Sequence, residues 1–133
     1  MSTKARSSAV TRCLGDVAIE PIRWLWPKRF ALGKLSIIAG QPGLGKSQIT
    51  AMMAAKVSRG GTWPDGSPCP CGRVILISCE DDAADTIAPR LDAAGADRSK
   101  IFILDWIAEP GEQGERRRSF DLGRDAEAVR DLC

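Results

Sequence analysis

Leu35-Ser-Ile-Ile-Ala-Gly40-Gln-Pro-Gly-Leu-Gly-Lys46-Ser47 runs from a short apolar segment into a glycine-rich turn that ends in a lysine and a hydroxyl. Residues 40–47 fit GxxxxGK[ST] in full, and the neighbouring pattern supplies the context that motif needs. The apolar run predicts a buried parallel strand over 35–39. Beyond the turn, Ile49, Met52, Met53 and Val57 recur at helical spacing, and Arg59-Gly60-Gly61 gives a basic last turn and a stop. Strand, glycine turn and helix in this order make a phosphate-binding loop. Gly40, Gly43 and Gly45 let successive N–H groups converge on an anion at a helix N-terminus, where the helix dipole also favours negative charge. Pro42 stiffens the turn, Lys46 reaches the β- and γ-phosphate oxygens, and the Ser47 hydroxyl ligates the Mg²⁺ that bridges them. The expected ATP-binding set is therefore Gly40, Gln41, Pro42, Gly43, Leu44, Gly45, Lys46 and Ser47, with ATP and Mg²⁺ as cofactors.

Outward from the motif, the second half of the chain repeats the strand–helix alternation. A strand is expected over 73–78, a helix after Asp81 or Asp82 with Ala84, Ile87, Ala88 and Leu91 on one face, and a strand over 100–105. A further helix begins around Ala126, Val129 and Leu132. This alternation defines an α/β fold, a three-layer P-loop NTPase with a mostly parallel sheet. Three strands are too few for a doubly wound sheet, so the sheet is expected to be incomplete at the C-terminus. Residues 1–18 read as a flexible basic N-terminal arm and 19–133 as the N-terminal part of the ATPase domain. Thr62 to Gly72 reads as a solvated loop, and so does Pro110 to Arg118, with a phosphate-binding patch at Arg116-Arg117-Arg118 as the alternative. Pro21 to Phe30, with two tryptophans and a phenylalanine between prolines, reads as an intramolecular lid over a sheet edge, with a partner-binding patch as the alternative.

Composition narrows the chemistry. The chain has 133 residues, 44% apolar and 27% charged, with a formal net charge of +2. These values fit an ordinary folded domain and neither require nor exclude nucleic acid. It contains no histidine, so Ser-His-Asp triads, Cys-His dyads and histidine zinc sites are impossible. The five cysteines are odd in number and irregularly spaced, and Cys69-Pro70-Cys71 has no second pair to complete a zinc site. Apolar runs are far too short to cross a bilayer, and the basic start lacks the apolar core of a secretory signal, so a cytoplasmic location without membrane contact is expected.

Triphosphate hydrolysis also needs a group that orients water and, usually, a magnesium-side carboxylate. Val74-Ile-Leu-Ile-Ser-Cys-Glu80-Asp81-Asp82 places three carboxylates at the C-terminal end of a strand, the edge where α/β sheets bind ligands. Glu80 is the expected catalytic carboxylate, acting with Lys46, and Asp81 is a candidate for the metal. Asp105 ends Ile101-Phe-Ile-Leu in the manner of a Walker B strand, but Trp106 follows it where a second carboxylate would be needed.

Pro21-Ile-Arg-Trp-Leu-Trp-Pro, Gly33 to Ser47, Trp63-Pro-Asp-Gly66 and Val74 to Asp82, taken in order, resemble the AAA-family ATPases of RecA-like fold. That group includes the RepA-type hexameric replicative helicases of plasmids and primase-associated ATPases of phage. The resemblance implies a glutamate at the end of the strand after the P-loop helix, matching Glu80, that polarises the attacking water. It places the Walker B aspartate on a later strand, beyond the chain, rather than at Asp105, and the arginine finger likewise. It further implies ATP hydrolysis at subunit interfaces of a homo-oligomeric ring, single-stranded DNA as partner and a helicase or replication motor of a mobile element. The alternatives are a small-molecule or nucleotide kinase built on the same P-loop, and a non-catalytic nucleotide-binding fragment. A kinase needs an acceptor site and an arginine-rich lid, for which the direct step from strand to Glu80-Asp81-Asp82 leaves little room.

Overall fold

The computed structural model describes residues 9–78, 80–111 and 114–130; Cys79, Cys133 and the first eight residues of the expected arm lie outside them. After a single 3₁₀ turn at Leu14–Asp16, the chain forms β1 (Trp24–Trp26), β2 (Phe30–Ala31), α1 (Lys46–Arg59), β3 (Gly61–Thr62), β4 (Pro68–Cys69) and β5 (Val74–Leu76). A π-helical turn (Ala83–Ile87) leads into α2 (Ala88–Ala93), followed by β6 (Ile101–Ile103), β7 (Ile107–Gly111), β8 (Gly114–Arg118) and α3 (Leu122–Arg130). The content is mixed α/β, arranged as four two-stranded sheets among the described residues. One pair is parallel, β5 with β6, in the register Val74↔Ile101, Ile75↔Phe102 and Leu76↔Ile103. It is joined through the π-turn and α2, the crossover a parallel pair requires.

The strand expected over 35–39 is not formed. Leu35 and Ile37 are 85% and 81% exposed, and the segment pairs with no strand among the described residues. Ser36 and Ile38 instead share with Val74, Ile75 and Leu76 the walls of an apolar cavity of about 780 Å³, roofed by Met53, Ala54 and Val57 of α1. A strand is defined by its ladder, and this segment has none among the described residues.

Two segments expected to be loops are hairpins. Gly61↔Cys69 and Thr62↔Pro68 close β3 on β4, and the turn between them drives Trp63 into the interior, where it is 2% exposed. Trp63 stacks on Trp26 with ring centroids 4.5 Å apart and planes 2° from parallel, and its Nε1–H donates to the Leu25 carbonyl at 2.9 Å. Trp26 Nε1–H donates to Asp65 at 2.8 Å. The Ser67 hydroxyl, followed by this indole, draws the Asp65 carboxyl down to about 2. Leu25, Trp26 and Phe30 of the Pro21 to Phe30 segment thus pack within the chain, against the Trp63 hairpin and α1: Trp26, Trp63 and Cys69 form one core cluster with Leu25, Phe30, Met52, Met53 and Val57.

The second hairpin, β7 with β8, replaces the polar loop expected over 110–118. It is tied to α3 by Arg118, which donates to both Asp125 carboxylate oxygens at 2.6 Å each and also to Glu109. The Arg118 hydrogen bonds hold the buried Asp125 carboxyl down to about 2. Between α1 and α2 the packing is close. Ala54, Ala55, Ser58 and Leu91 are buried, and the Ser58 hydroxyl donates to Ala55 O and accepts from Asp97 N. The buried face of α1 is therefore its row of small residues, while Ile49 of the expected apolar stripe is 40% exposed.

Candidate nucleotide site

The turn before α1 has the backbone an anion site needs. Gly43 and Gly45 adopt φ of 81° and 79°, a left-handed conformation that side-chain-bearing residues reach only at a cost of roughly 1–2 kcal/mol. Gly40 is not among the positive-φ glycines, so of the three motif glycines two supply the reversal. Gly45 is the N-cap of α1; no side chain caps the helix, and its first turn carries no acidic residue. The two Asp-led turns elsewhere differ, since Asp82 accepts from Ala84 N and Asp85 N, and Asp97 accepts from Ser99 N. The α1 terminus keeps free donors and an uncompensated dipole, the combination that binds phosphate.

Lys46 bridges this turn. Its Nζ donates to the carbonyls of Gly40 and Gln41 at 2.8 Å each, which holds the ammonium over the loop. Ser47 is exposed at the start of α1. It also lines a cavity of about 190 Å³ with Ser78, Asp81, Ile87, Arg90 and Leu91. The structure thus brings Ser47 and Asp81 together across the gap between α1 and the end of β5. The Asp81 backbone N–H donates to the Ser78 hydroxyl at 3.1 Å, and its carboxylate pairs with Arg90 at 2.8 Å. Glu80 sits exposed at the bend between them. Asp105 is exposed after β6, and no described cavity places it with Ser47.

The hard oxygen donors of Ser47 and Asp81 suit Mg²⁺, which dehydrates reluctantly and shares phosphate oxygens. No group of three or more His, Cys, Asp or Glu among the described residues could hold a metal without the nucleotide. The donor set fits a magnesium that enters with a triphosphate.

Sequence reading missed Arg90. The signal was present in the pairing of strand-end carboxylates with the helix that follows them, but the contact spans nine residues and depends on the intervening π-turn. In the arginine run at 116–118, the Arg117 guanidinium lies 4.2 Å from the Trp106 ring centroid.

A family model described as an AAA domain matches residues 3–132, and the chain belongs to that family. Membership carries the P-loop NTPase fold and ATPase-type nucleotide binding, generally of ATP with Mg²⁺. Comparison with curated proteins and with solved structures finds no significant match. No helix among the described residues is long and apolar enough to cross a membrane.

Proposed function

We propose that this chain binds and hydrolyses ATP as a RecA-like motor domain acting on single-stranded DNA, in a homo-oligomeric ring of the kind found in RepA-type replicative helicases. The ATPase domain of this reading takes in residues 19–133, with the basic stretch 1–18 ahead of it in sequence. The observation that carries the ATP reading is the uncapped start of α1 behind two left-handed glycines, with Lys46 held across the loop. Backbone N–H groups of residues 43–47 bind the β-phosphate, and Lys46 exchanges its two carbonyls for phosphate oxygens. Mg²⁺ entering with the nucleotide would supply neutralisation of the phosphate charge, and Ser47 would hold it from the protein side, with Asp81 facing the same cavity. Glu80, free at the strand end, orients the attacking water. The DNA and ring readings rest on the sequence resemblance.

Single-turnover ATP hydrolysis with and without single-stranded DNA tests this function. In a ring-forming protein that also carries the Walker B aspartate and the arginine finger, the expected result is turnover that rises with DNA and vanishes in Lys46→Ala. Phosphate transfer to a small acceptor instead of water would favour a kinase.

A further inference from the structure

Asp81 and Arg90 form an ion pair on the wall of the cavity that also holds the Ser47 hydroxyl. Neither belongs to the phosphate-binding loop. We infer that Arg90 is a positioning residue: it fixes the Asp81 carboxylate on the metal side of the nucleotide site, where Asp81 binds a magnesium-coordinated water. The inference rests on the ATP-site reading and goes beyond it by assigning Arg90 a part.

Three features support the assignment. Arg90 Nη1 donates to Asp81 Oδ2 at 2.8 Å, leaving Oδ1 available for a water. The Asp81 N–H is anchored on Ser78, so both the backbone and the side chain of Asp81 are held. The helix carrying Arg90 begins with the π-turn Ala83–Ile87, started by Asp82. A π-turn adds one residue to a helical turn and so changes by about 100° the face on which later side chains emerge. Without it Arg90 would turn away from Asp81. The buried neighbour Leu91, 4% exposed, keys α2 against α1 and keeps Arg90 at the cavity.

A carboxylate acting through water tunes a metal site when a partner fixes its orientation, and losing such a partner commonly costs about 10- to 100-fold in metal affinity. The test titrates the chain with a fluorescent ATP analogue, once with saturating Mg²⁺ and once with EDTA; the ratio of the two affinities is the gain due to metal. Asp81→Asn should cut that gain about tenfold. Arg90→Ala should cut it by a similar factor, and the double variant should lose no more than either single one. Arg90→Lys should restore part of it. Thermal melting checks folding, and Asp81→Asn, nearly isosteric, keeps the test decisive should Arg90→Ala melt.

A full metal gain in Arg90→Ala, or additive losses in the double variant, overturns the proposal. An equal loss in EDTA also does so, since it would mean that Arg90 touches the phosphates directly. If Lys46→Ala weakens ATP binding strongly while Arg90→Ala keeps its metal gain, the site stands and only the role of Arg90 fails. If the wild-type chain binds no ATP, the site reading and this inference fall together.

Discussion

Replacing Lys46 with alanine is the sharpest perturbation of the site. In the structure the ammonium donates to Gly40 O and Gln41 O at 2.8 Å each. Both carbonyls belong to exposed residues, so water satisfies them once the lysine is gone, and the fold should not notice. With nucleotide bound, the same donors face phosphate oxygens. A hydrogen bond to a charged partner contributes about 1.5–3 kcal/mol net. Because two carbonyl bonds are given up as phosphate bonds form, the net loss for the variant is about 2–3 kcal/mol. At about 1.4 kcal/mol per decade, ATP affinity should weaken roughly 30- to 150-fold. AMP lacks the β- and γ-phosphates and should lose far less. Fluorescence titration with ATP and AMP gives both numbers, and circular dichroism confirms the fold. A folded variant with ATP affinity within twofold of wild type, or with equal losses for ATP and AMP, would refute the placement of Lys46 on the terminal phosphates.

In a ring-forming protein that also carries the Walker B aspartate and the arginine finger, Glu80→Gln should keep ATP binding and lose about 10²- to 10⁴-fold in single-turnover hydrolysis, because the amide retains size without the carboxylate that orients water; wild-type turnover would make it an ordinary strand-end residue. Trp63→Ala removes a ring that is 2% exposed and stacked on Trp26, so chemical denaturation should show a loss of about 3–5 kcal/mol. Trp24→Ala, at a site 38% exposed, should cost only a small fraction of that. The carboxyls of Asp65 and Asp125 are depressed from 3.8 to about 2, so their contribution is fully present above about pH 4 and is lost as the pH falls through about 2. Near-UV circular dichroism of the stacked tryptophans should therefore fade across that window, and Asp65→Asn should remove the Trp26-linked part of the step.

The phosphate-binding turn and α1 were legible in the sequence because their information is local. Left-handed glycines, a lysine at the first helical position and a glycine stop at Gly60 act on dihedrals and hydrogen bonds within a few residues, and α1 runs Lys46–Arg59 between the expected limits. Asp82 as a cap belongs to the same kind of information. What only the tertiary structure decided is non-local. Apolar Leu35 to Ala39 has strand composition, but a strand needs a neighbour along its edge, and none pairs with it among the described residues. Trp63, in a segment rich in proline and glycine, is buried because a hairpin 38 residues away from its partner Leu25 brings the two together. Arg118 sits in a run of three arginines that reads as solvated, yet it is sequestered by Glu109 and Asp125 from two different elements. The Asp81–Arg90 pair depends on the phase of a helix whose first turn is wider than an α-turn. Residue order specifies backbone preference over one or two turns, whereas partners across a sheet or helix face are chosen by the packing of the whole chain.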